Sequence, residues 1–421
     1  LTNQRETVVV FERSTGRPLH PAIVWQCRRG DTICAAHTAA GHTDLIHART
    51  GLKIDGYFSA SKLEWLVRHR PDLQQRLADG SALIGTIDAY LIYRLTGGRV
   101  FATDTTNASR TLLFDLTRLR WDEELCALWS VPLRALPEVR DCTAAFGETT
   151  LDRTLPQPLP IRGVMGDSQA SLFAQRCFAP GAAKVTFGTG SSLLLNLGAT
   201  PRFSDRGVLT ALAWTHAGKP VYAFEGIIIS SASTLSWLRD QLGLADSVAA
   251  LERLAQAVPD NGGVFVVPAF SGLGLPYWQP DARAAILGLS SHSDRRHIAR
   301  AAYESIALQV RDALDAMRGE AGVPLSSLHG DGGPTASKFL MQLTADITGV
   351  DLHVATMPDC SPVGAMLAAQ LGLGLRASLR ELADLPFAEV VFRPAPRREP
   401  FEDLHARWQA TLGRFLPAAR Q

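Results

Sequence analysis

Short apolar runs alternate with amphipathic segments along the chain. Val8–Phe11 and Ala22–Trp25 have the length and composition of short strands. Ser61–Arg70 and Thr86–Leu95 instead place apolar residues three or four positions apart, which is the spacing of one helix face. The Pro-rich stretch 154–160 excludes a helix interior and leads into a strand predicted at 161–165.

A second group of elements is predicted beyond this stretch. Ala183–Phe187 and Leu193–Leu197 predict the two strands of a hairpin with the glycine-rich turn 188–192 at its tip. Further strands are predicted at 221–224, 263–268 and 285–288, and helices at 233–242, 297–317 and 338–348. Strands and helices that alternate in this way predict an α/β fold with mixed sheets.

Composition narrows the class of protein. Hydrophobic residues make up 46% of the chain, yet no apolar run reaches the ~18 residues of a membrane span, so we predict none. With 42 basic and 41 acidic residues the net charge is +1, which gives no field to recruit nucleic acid. The six cysteines are far apart and form no CxxC pair, which indicates neither a zinc cluster nor a disulfide framework. We expect reduced thiols and a cytoplasmic location.

Two glycine-rich turns are candidate phosphate-binding loops. Backbone N–H groups at the tip Gly188-Thr189-Gly190 can converge on an anion, although an ordinary hairpin turn would have the same sequence. Gly332 and Gly333 precede a predicted helix, whose N-terminus suits a nucleotide, and a plain helix-entry loop is again the alternative. The Walker loop GxxxxGK[ST] is absent, which excludes a P-loop kinase.

Asp167 is the candidate catalytic residue. It follows a predicted strand, at the position where α/β proteins carry their site residues, but an Asp before a helix can also be a simple cap. Gly166-Asp167 and Gly330-Asp331 are similar to each other, since each pair follows a strand-like segment and precedes a helix. Two such units facing each other would form a cleft.

Nine stretches with distinctive sequences follow one another along nearly the whole chain, at 3–7, 22–29, 57–66, 106–111, 166–167, 187–190, 268–274, 276–278 and 284–304. In this order they resemble the FGGY carbohydrate kinase family, and in particular its members that phosphorylate glycerol. Both signature patterns of the family are matched, at Tyr57–Leu66 and Ala284–Glu304.

The resemblance implies two actin-like, ribonuclease-H-like domains around a central cleft, with ATP, Mg²⁺ and a polyol as ligands. It assigns residues 1–175 to a polyol-binding N-terminal domain and residues 176–421 to a nucleotide-binding C-terminal domain. Family members begin with a phosphate-binding hairpin carrying Asp-x-Gly-Thr-Thr-Ser, which has no counterpart in this sequence. We therefore expect the first domain to be incomplete at its N-terminus. A homodimer or homotetramer is also expected.

The resemblance assigns roles to individual residues. Arg5 and Glu6 are expected to hydrogen-bond adjacent hydroxyls of the polyol, Trp25 to pack on its carbon chain and Tyr57 to donate from its phenol. Asp167 is expected to accept the proton of the attacking hydroxyl and to contact the metal. The predicted nucleotide-binding residues are Gly188, Thr189, Gly190, Ala232, Ser236, Gly332, Gly333 and Ser337.

Some pocket positions depart from the family pattern. Ser168 replaces a Gln and Ser192 replaces an aromatic residue, and both remain predicted substrate-binding residues. On the nucleotide side, Ala232, Ser236 and Ser337 replace what are typically Gly, Gln and Asn. These differences predict a pocket that is more polar and slightly larger than that of a standard family member that phosphorylates glycerol.

The expected activity is ATP-dependent phosphorylation of glycerol to glycerol 3-phosphate, with Asp167 as general base. One alternative is a kinase for another small polyol or ketose, such as erythritol or xylulose, which Ser168 and Ser192 favour. A second is a non-catalytic regulator that binds nucleotide or polyol, which the missing phosphate hairpin favours. A chaperone or filament ATPase would have no use for Arg5, Trp25 and Tyr57.

Overall fold

The computed structural model describes residues 1–357 and 359–416. Strands β1–β19, in chain order, are Thr2–Asn3, Val8–Glu12, Ala82–Thr86, Ala102–Asp104, Phe114–Asp115, Arg120–Trp121, Glu138–Arg140, Glu148–Thr149, Leu159–Pro160, Met165–Gly166, Ala182–Phe187, Ser191–Gly198, Leu209–His216, Lys219–Ile228, Phe265–Val267, Ala285–Leu287, Ser327–Asp331, Leu352–Ala355 and Glu389–Phe392. Helices α1–α15 are Asp31–Ala39, Thr43–Thr50, Ser59–His69, Pro71–Asp79, Ile87–Leu95, Thr105–Ala108, Glu123–Leu128, Asp167–Ala174, Ser233–Asp240, Val248–Gln256, Arg295–Ala321, Lys338–Thr348, Ser361–Gly372, Leu379–Ala383 and Glu399–Phe415.

A seven-stranded sheet organises the second half of the chain, in the order β13-β14-β12-β11-β17-β18-β19. β11, β17 and β18 run parallel to one another, and the other neighbours pair antiparallel. The side chains of Ala183, Val185 and Phe187 on β11 belong to the largest hydrophobic core, together with much of the long helix α11. Because side chains alternate along a strand, Lys184 and Thr186 face the other side of this sheet.

The first half of the chain contains short two-stranded ladders. β1 pairs parallel with β10, β2 pairs antiparallel with β3, and β4 pairs parallel with β7. A second core forms mainly under helices α1, α3 and α4. The β1–β10 pair matters most for the site, because Asn3 lies opposite Gly166 and the chains that leave these strands carry Arg5 and Asp167.

Most predicted elements are found close to their predicted positions. The helices at Ser61–Arg70 and Thr86–Leu95 are α3 and α5, and the predicted hairpin is β11–β12. The strand predicted at Ala22–Trp25 is wrong. Only Ile23 makes a bridge, to Val8, because the chain turns where the N–H of Cys27 donates to the carbonyl of Val24 (3.0 Å).

The strand predicted at 161–165 is also wrong over most of its length, since β9 ends at Pro160 and only Met165, in β10, belongs to a strand. Within the described residues, the helices lack the combination of length and apolar character that a membrane span needs.

Candidate active site

Arg5 is buried at the centre of the site and holds two parts of the chain together. Its Nη2 donates to Glu225 Oε1 on β14 (2.8 Å) and its Nη1 to Gln169 Oε1 on α8 (3.1 Å). Burial alone would lower the pKa of Arg5, but the nearby carboxylates, above all Glu225, raise it well above the usual value. Its Nε makes no hydrogen bond within the described residues and lies 3.6 Å from Asp167 Oδ1.

Arg110 and Glu225 complete a buried ionic cluster with Arg5 and Glu6. Arg110 Nε donates to Glu6 Oε1 (2.8 Å), and the Arg110 guanidinium also contacts the Glu225 carboxylate. Arg110 and Glu225 are fully buried, and Arg5 and Glu6 are nearly so. Buried charges are tolerated only when they are paired and hydrogen-bonded, so this cluster fixes the orientation of Arg5 and Glu6.

Trp25 and Tyr57 form an aromatic corner beside this cluster. Their ring centroids are 5.5 Å apart in an edge-on arrangement, and both side chains are half-buried. The backbone N–H of Trp25 donates to Thr7 Oγ1 (3.3 Å), which anchors it one residue from Glu6. Burial, and then the charge of Glu6, raise the pKa of the Tyr57 phenol. Tyr57 therefore stays protonated at neutral pH and can donate a hydrogen bond.

Asp167 is the first residue of α8 and its side chain is about half exposed (48%). Its Oδ1 accepts from the backbone N–H of Ser168 (2.7 Å), and its carbonyl accepts from the Ser361 hydroxyl (2.9 Å). The helix N-terminus and Arg5 both favour negative charge at this position. Because the Ser168 bond engages Oδ1, the Oδ2 atom of this half-exposed carboxylate can accept a proton or contact a cation.

Ser168 and Ser192 face each other next to Asp167. Their Oγ atoms are 3.3 Å apart, and both residues are half-buried. Ser168 is the second residue of α8 and Ser192 lies near the start of β12, so this contact joins the Asp167 helix to the hairpin. Two short hydroxyl side chains at this position leave a polar surface.

The hairpin tip Gly188-Thr189-Gly190 lies between β11 and β12, and its carbonyls bind the segment before α9. The N–H of Ser231 donates to Thr189 O (2.8 Å) and that of Ala232 to Gly188 O (3.1 Å). A Cβ on Gly190 would be 2.5 Å from Ile228 O, so this position requires glycine. Thr189 itself is exposed at the tip, and Ser236 follows Ala232 by one turn of α9.

Gly332 and Gly333 follow β17 directly. Gly332 has φ +100°, and a Cβ there would be 2.0 Å from Phe187 O at the end of β11, so only glycine allows this turn to approach the hairpin. A Cβ on Gly333 would meet no atom within 4 Å. Ser337 caps α12, with its hydroxyl accepting from the N–H of Leu340 (3.0 Å).

The predicted site residues thus lie in a connected series. Arg5 contacts Asp167, Ser168 contacts Ser192, and Gly332 packs against the strand that leads to Gly188. Arg110, Glu225 and Gln169 were not among the predicted site residues. A single Glu inside the apolar strand 219–228 is a signal that could have revealed one of them, because a buried carboxylate needs a cationic partner.

Two family models match the chain. The N-terminal domain of the FGGY family of carbohydrate kinases matches residues 1–174, and its C-terminal domain matches residues 183–373. The chain belongs to the FGGY family of carbohydrate kinases and has the two-domain α/β fold of that family.

Its relatives include proteins named glycerol kinase. The chain is 43% identical to glycerol kinase of Stenotrophomonas maltophilia over 99% of its own length and 83% of the relative. It is 45% identical to glycerol kinase of Aromatoleum aromaticum over 98% of its length and 83% of the relative. The crystal structure of Plasmodium falciparum glycerol kinase with ADP is similar, with a TM-score of 0.93 at 35% identity, covering 99% of this chain and 83% of that one.

Proposed function

We propose that this chain transfers the γ-phosphoryl group of ATP to a terminal hydroxyl of glycerol and releases glycerol 3-phosphate and ADP. The observation that carries the proposal is the place of Asp167, a half-exposed carboxylate at the N-terminus of α8. It lies 3.6 Å from Arg5 Nε, which makes no hydrogen bond to the described part of the chain. The similarity to glycerol kinases along almost the whole chain supports the choice of substrate.

The buried cluster would bind the acceptor through two adjacent hydroxyls. Arg5 Nε can donate to one hydroxyl, because its other nitrogens are engaged with Glu225 and Gln169. Both arginine contacts of Glu6 use Oε1, which leaves Oε2 to accept from a second hydroxyl. The Tyr57 phenol would donate a further hydrogen bond, and the Trp25 ring would cover the carbon chain. A donor beside an acceptor selects a vicinal diol.

Asp167 would accept the proton of the attacking hydroxyl and direct its oxygen toward the γ-phosphorus. Phosphoryl transfer has a loose transition state, so orientation of the nucleophile and neutralisation of charge contribute more than the strength of the base. The Ser168 N–H bond to Oδ1 fixes the plane of the carboxylate. The fixed start of α8 therefore matters as much as the carboxyl group itself.

The nucleotide would lie against the two glycine turns. The exposed Thr189 hydroxyl and the tip 188–190 would contact its phosphates, and Gly332 and Gly333 would lie against the adenosine. Ala232 and Ser236 on α9 would lie nearby. The Ser337 hydroxyl caps α12 already, so it would contribute to nucleotide binding mainly by fixing the turn before that helix.

A magnesium ion fits this set of residues. Glu6 and Glu225 are buried and paired with Arg5 and Arg110, whereas Asp167 is the half-exposed carboxylate of the site. Mg²⁺ is commonly bound by one or two carboxylates together with nucleotide phosphates. Asp167 would hold the ion, which would neutralise phosphate charge when bound.

Three broader predictions belong to this proposal. Residues 1–175 would form the polyol-binding domain and residues 176–421 the nucleotide-binding domain, of which Pro358 and positions 417–421 lie outside the described residues. We further propose a cytoplasmic homodimer or homotetramer. Light scattering on the purified full-length protein would give its oligomeric state.

A second candidate is a kinase for a longer polyol or ketose, such as erythritol or xylulose. The facing hydroxyls of Ser168 and Ser192 favour it, because they provide space and hydrogen-bonding groups beside Asp167. These groups could bind hydroxyls that glycerol does not have.

The experiment is to measure ADP release by the full-length protein with Mg-ATP and glycerol, erythritol, xylulose or no acceptor. We expect the highest kcat/KM with glycerol. Preference for erythritol or xylulose would support the second candidate instead. ADP release that no acceptor stimulates would contradict both.

A further inference from the structure

A chain of four buried or half-buried polar side chains runs beneath the site and ends in opposite charges. Lys184 Nζ on β11 donates to Thr186 Oγ1 (2.9 Å), Thr186 Oγ1 lies 3.3 Å from Ser171 Oγ on α8, and the Ser171 hydroxyl donates to Asp331 Oδ2 on β17 (2.8 Å). Lys184 and Ser171 are almost completely buried, and so is Asp331.

The direction of every hydrogen bond in this chain is determined by its two ends. An ammonium group can only donate, so the Thr186 oxygen accepts from Lys184. The Ser171 proton goes to the Asp331 carboxylate, so the Thr186 proton goes to Ser171. The Gln175 side chain donates to the second lone pair of Ser171 (3.0 Å). All three hydrogen bonds from Lys184 to Asp331 therefore point from the cation to the anion.

Lys184 and Asp331 make no direct contact within the described residues, and their charges offset each other across the polar chain. Lys184 is fully buried, and burial lowers its pKa, while Asp331 and Asp167 are the principal charges that oppose this shift. Asp331 Oδ1 is buried and accepts no hydrogen bond within the described residues. Removing one member of a buried pair leaves an uncompensated charge, which is far more damaging than replacing both by neutral side chains.

The polar chain connects the three backbone segments that carry the proposed site. Ser171 lies one helical turn after Asp167 on α8. Thr186 is two residues before Gly188, and Asp331 directly precedes Gly332, whose backbone packs against Phe187. Thr186 and Asp331 are also neighbours in the parallel pairing of β11 with β17. A shift of any one segment would therefore move the others.

We propose that Lys184, Thr186, Ser171 and Asp331 are positioning residues that hold the start of α8 in register with both glycine turns during phosphoryl transfer. This inference rests on the proposed function for its effect on turnover, but the coupling between the three segments does not. The rate of phosphoryl transfer depends on the relative positions of these segments, because a misplacement of reacting groups by about 1 Å can lower the rate roughly 100-fold.

The test compares Thr186→Val with Thr348→Val in the full-length protein. Both changes remove the hydroxyl of a threonine and conserve its shape. Among the residues that the structure describes, the Thr348 hydroxyl bonds only within α12, to Thr344 O (2.6 Å) and Ala345 O. We expect Thr186→Val to lower kcat roughly 10- to 100-fold, with little change in the KM for ATP or in the KM for glycerol. We also expect faster amide hydrogen exchange at 167–174 and 332–336. Thr348→Val should change neither kcat nor this exchange.

The charged ends are tested by a pair of variants. Lys184→Met alone should lower the melting temperature sharply, and Lys184→Met with Asp331→Asn should restore it because both charges are gone. The double variant should still have a low kcat. Recovery of both stability and kcat would overturn the proposal, and so would Thr186→Val behaving like Thr348→Val. If the unmodified protein releases no ADP with any acceptor but Thr186→Val still accelerates exchange at α8, the proposed function fails and the coupling stands.

Discussion

Replacing Glu225 by Gln tests whether the buried ionic cluster organises the acceptor pocket. Glu225 is fully buried in β14 and pairs with Arg5 (2.8 Å) and with Arg110. Burial acts to raise the pKa of Glu225, but Arg110 and Arg5 outweigh it and the net shift is downward, so the residue is charged at neutral pH. Gln keeps the shape and one acceptor oxygen but removes the charge that balances two arginines.

The expected loss of stability follows from that geometry. Removing one partner of a buried ion pair typically costs about 3–5 kcal/mol, and Glu225 is the partner of two. Arg5 would also lose the contact that holds its Nη2, so we expect the KM for the acceptor to rise more than the KM for ATP. Urea unfolding followed by tryptophan fluorescence, together with steady-state kinetics, measures both effects.

The control is Glu399→Gln, which alters an exposed carboxylate 3.6 Å from Arg397. Exposed pairs are worth at most about 1 kcal/mol, so this variant should behave like the unmodified protein. The advantage of the unmodified protein over Glu225→Gln should shrink as pH falls through the depressed pKa of Glu225, because the charge is lost there. Equal stability of Glu225→Gln and Glu399→Gln at neutral pH would refute the reasoning.

Three further changes have defined outcomes. Ser192→Phe should fill the space beside Ser168 and raise the ratio of glycerol to erythritol kcat/KM, whereas an unchanged ratio would show that Ser192 does not contact the acceptor. Gly332→Ala should weaken ADP binding measured by calorimetry, because its Cβ would meet Phe187 O at 2.0 Å; unchanged affinity would place the nucleotide elsewhere. Burial and then the charge of Asp104 raise the pKa of Asp88, so the stability contributed by its protonated form is lost as pH rises through that raised pKa. Asp88→Asn should therefore raise the melting temperature relative to the unmodified protein more at pH 8 than at pH 5, and an equal difference at both would contradict this assignment.

Elements with a clear local pattern could be predicted from the sequence. The β11–β12 hairpin was predicted to within two residues because a short strand-like run lies on each side of a glycine-rich turn. Ala22–Trp25 has strand-like residues, but its pairing with β2 is limited to Ile23, which only the folded structure could reveal. Local composition does not determine whether a pairing partner exists.

The sequence likewise indicates single residues of the candidate site but not the partners that surround them. Single residues such as Asp167 could be matched by motif, but the partners of Arg5 come from distant parts of the chain, 164 residues away at Gln169 and 220 at Glu225. Lys184 likewise looks like an ordinary charged residue of a strand until Ser171 and Asp331 are placed around it. Such clusters depend on long-range packing, and a burial signal such as a lone charge in an apolar strand is the only local indication of them.

The most direct test of the central claim is ADP release with Mg-ATP and glycerol by the full-length protein, by Asp167→Asn and by the control Asp44→Asn. Asp44 is an exposed carboxylate that, like Asp167, lies in the first turn of a helix. We expect Asp167→Asn to lower kcat by roughly 10²- to 10⁴-fold, as for loss of a general base, and to leave the ADP dissociation constant nearly unchanged. Asp44→Asn should retain full activity. Glycerol-dependent turnover that survives in Asp167→Asn would contradict the account.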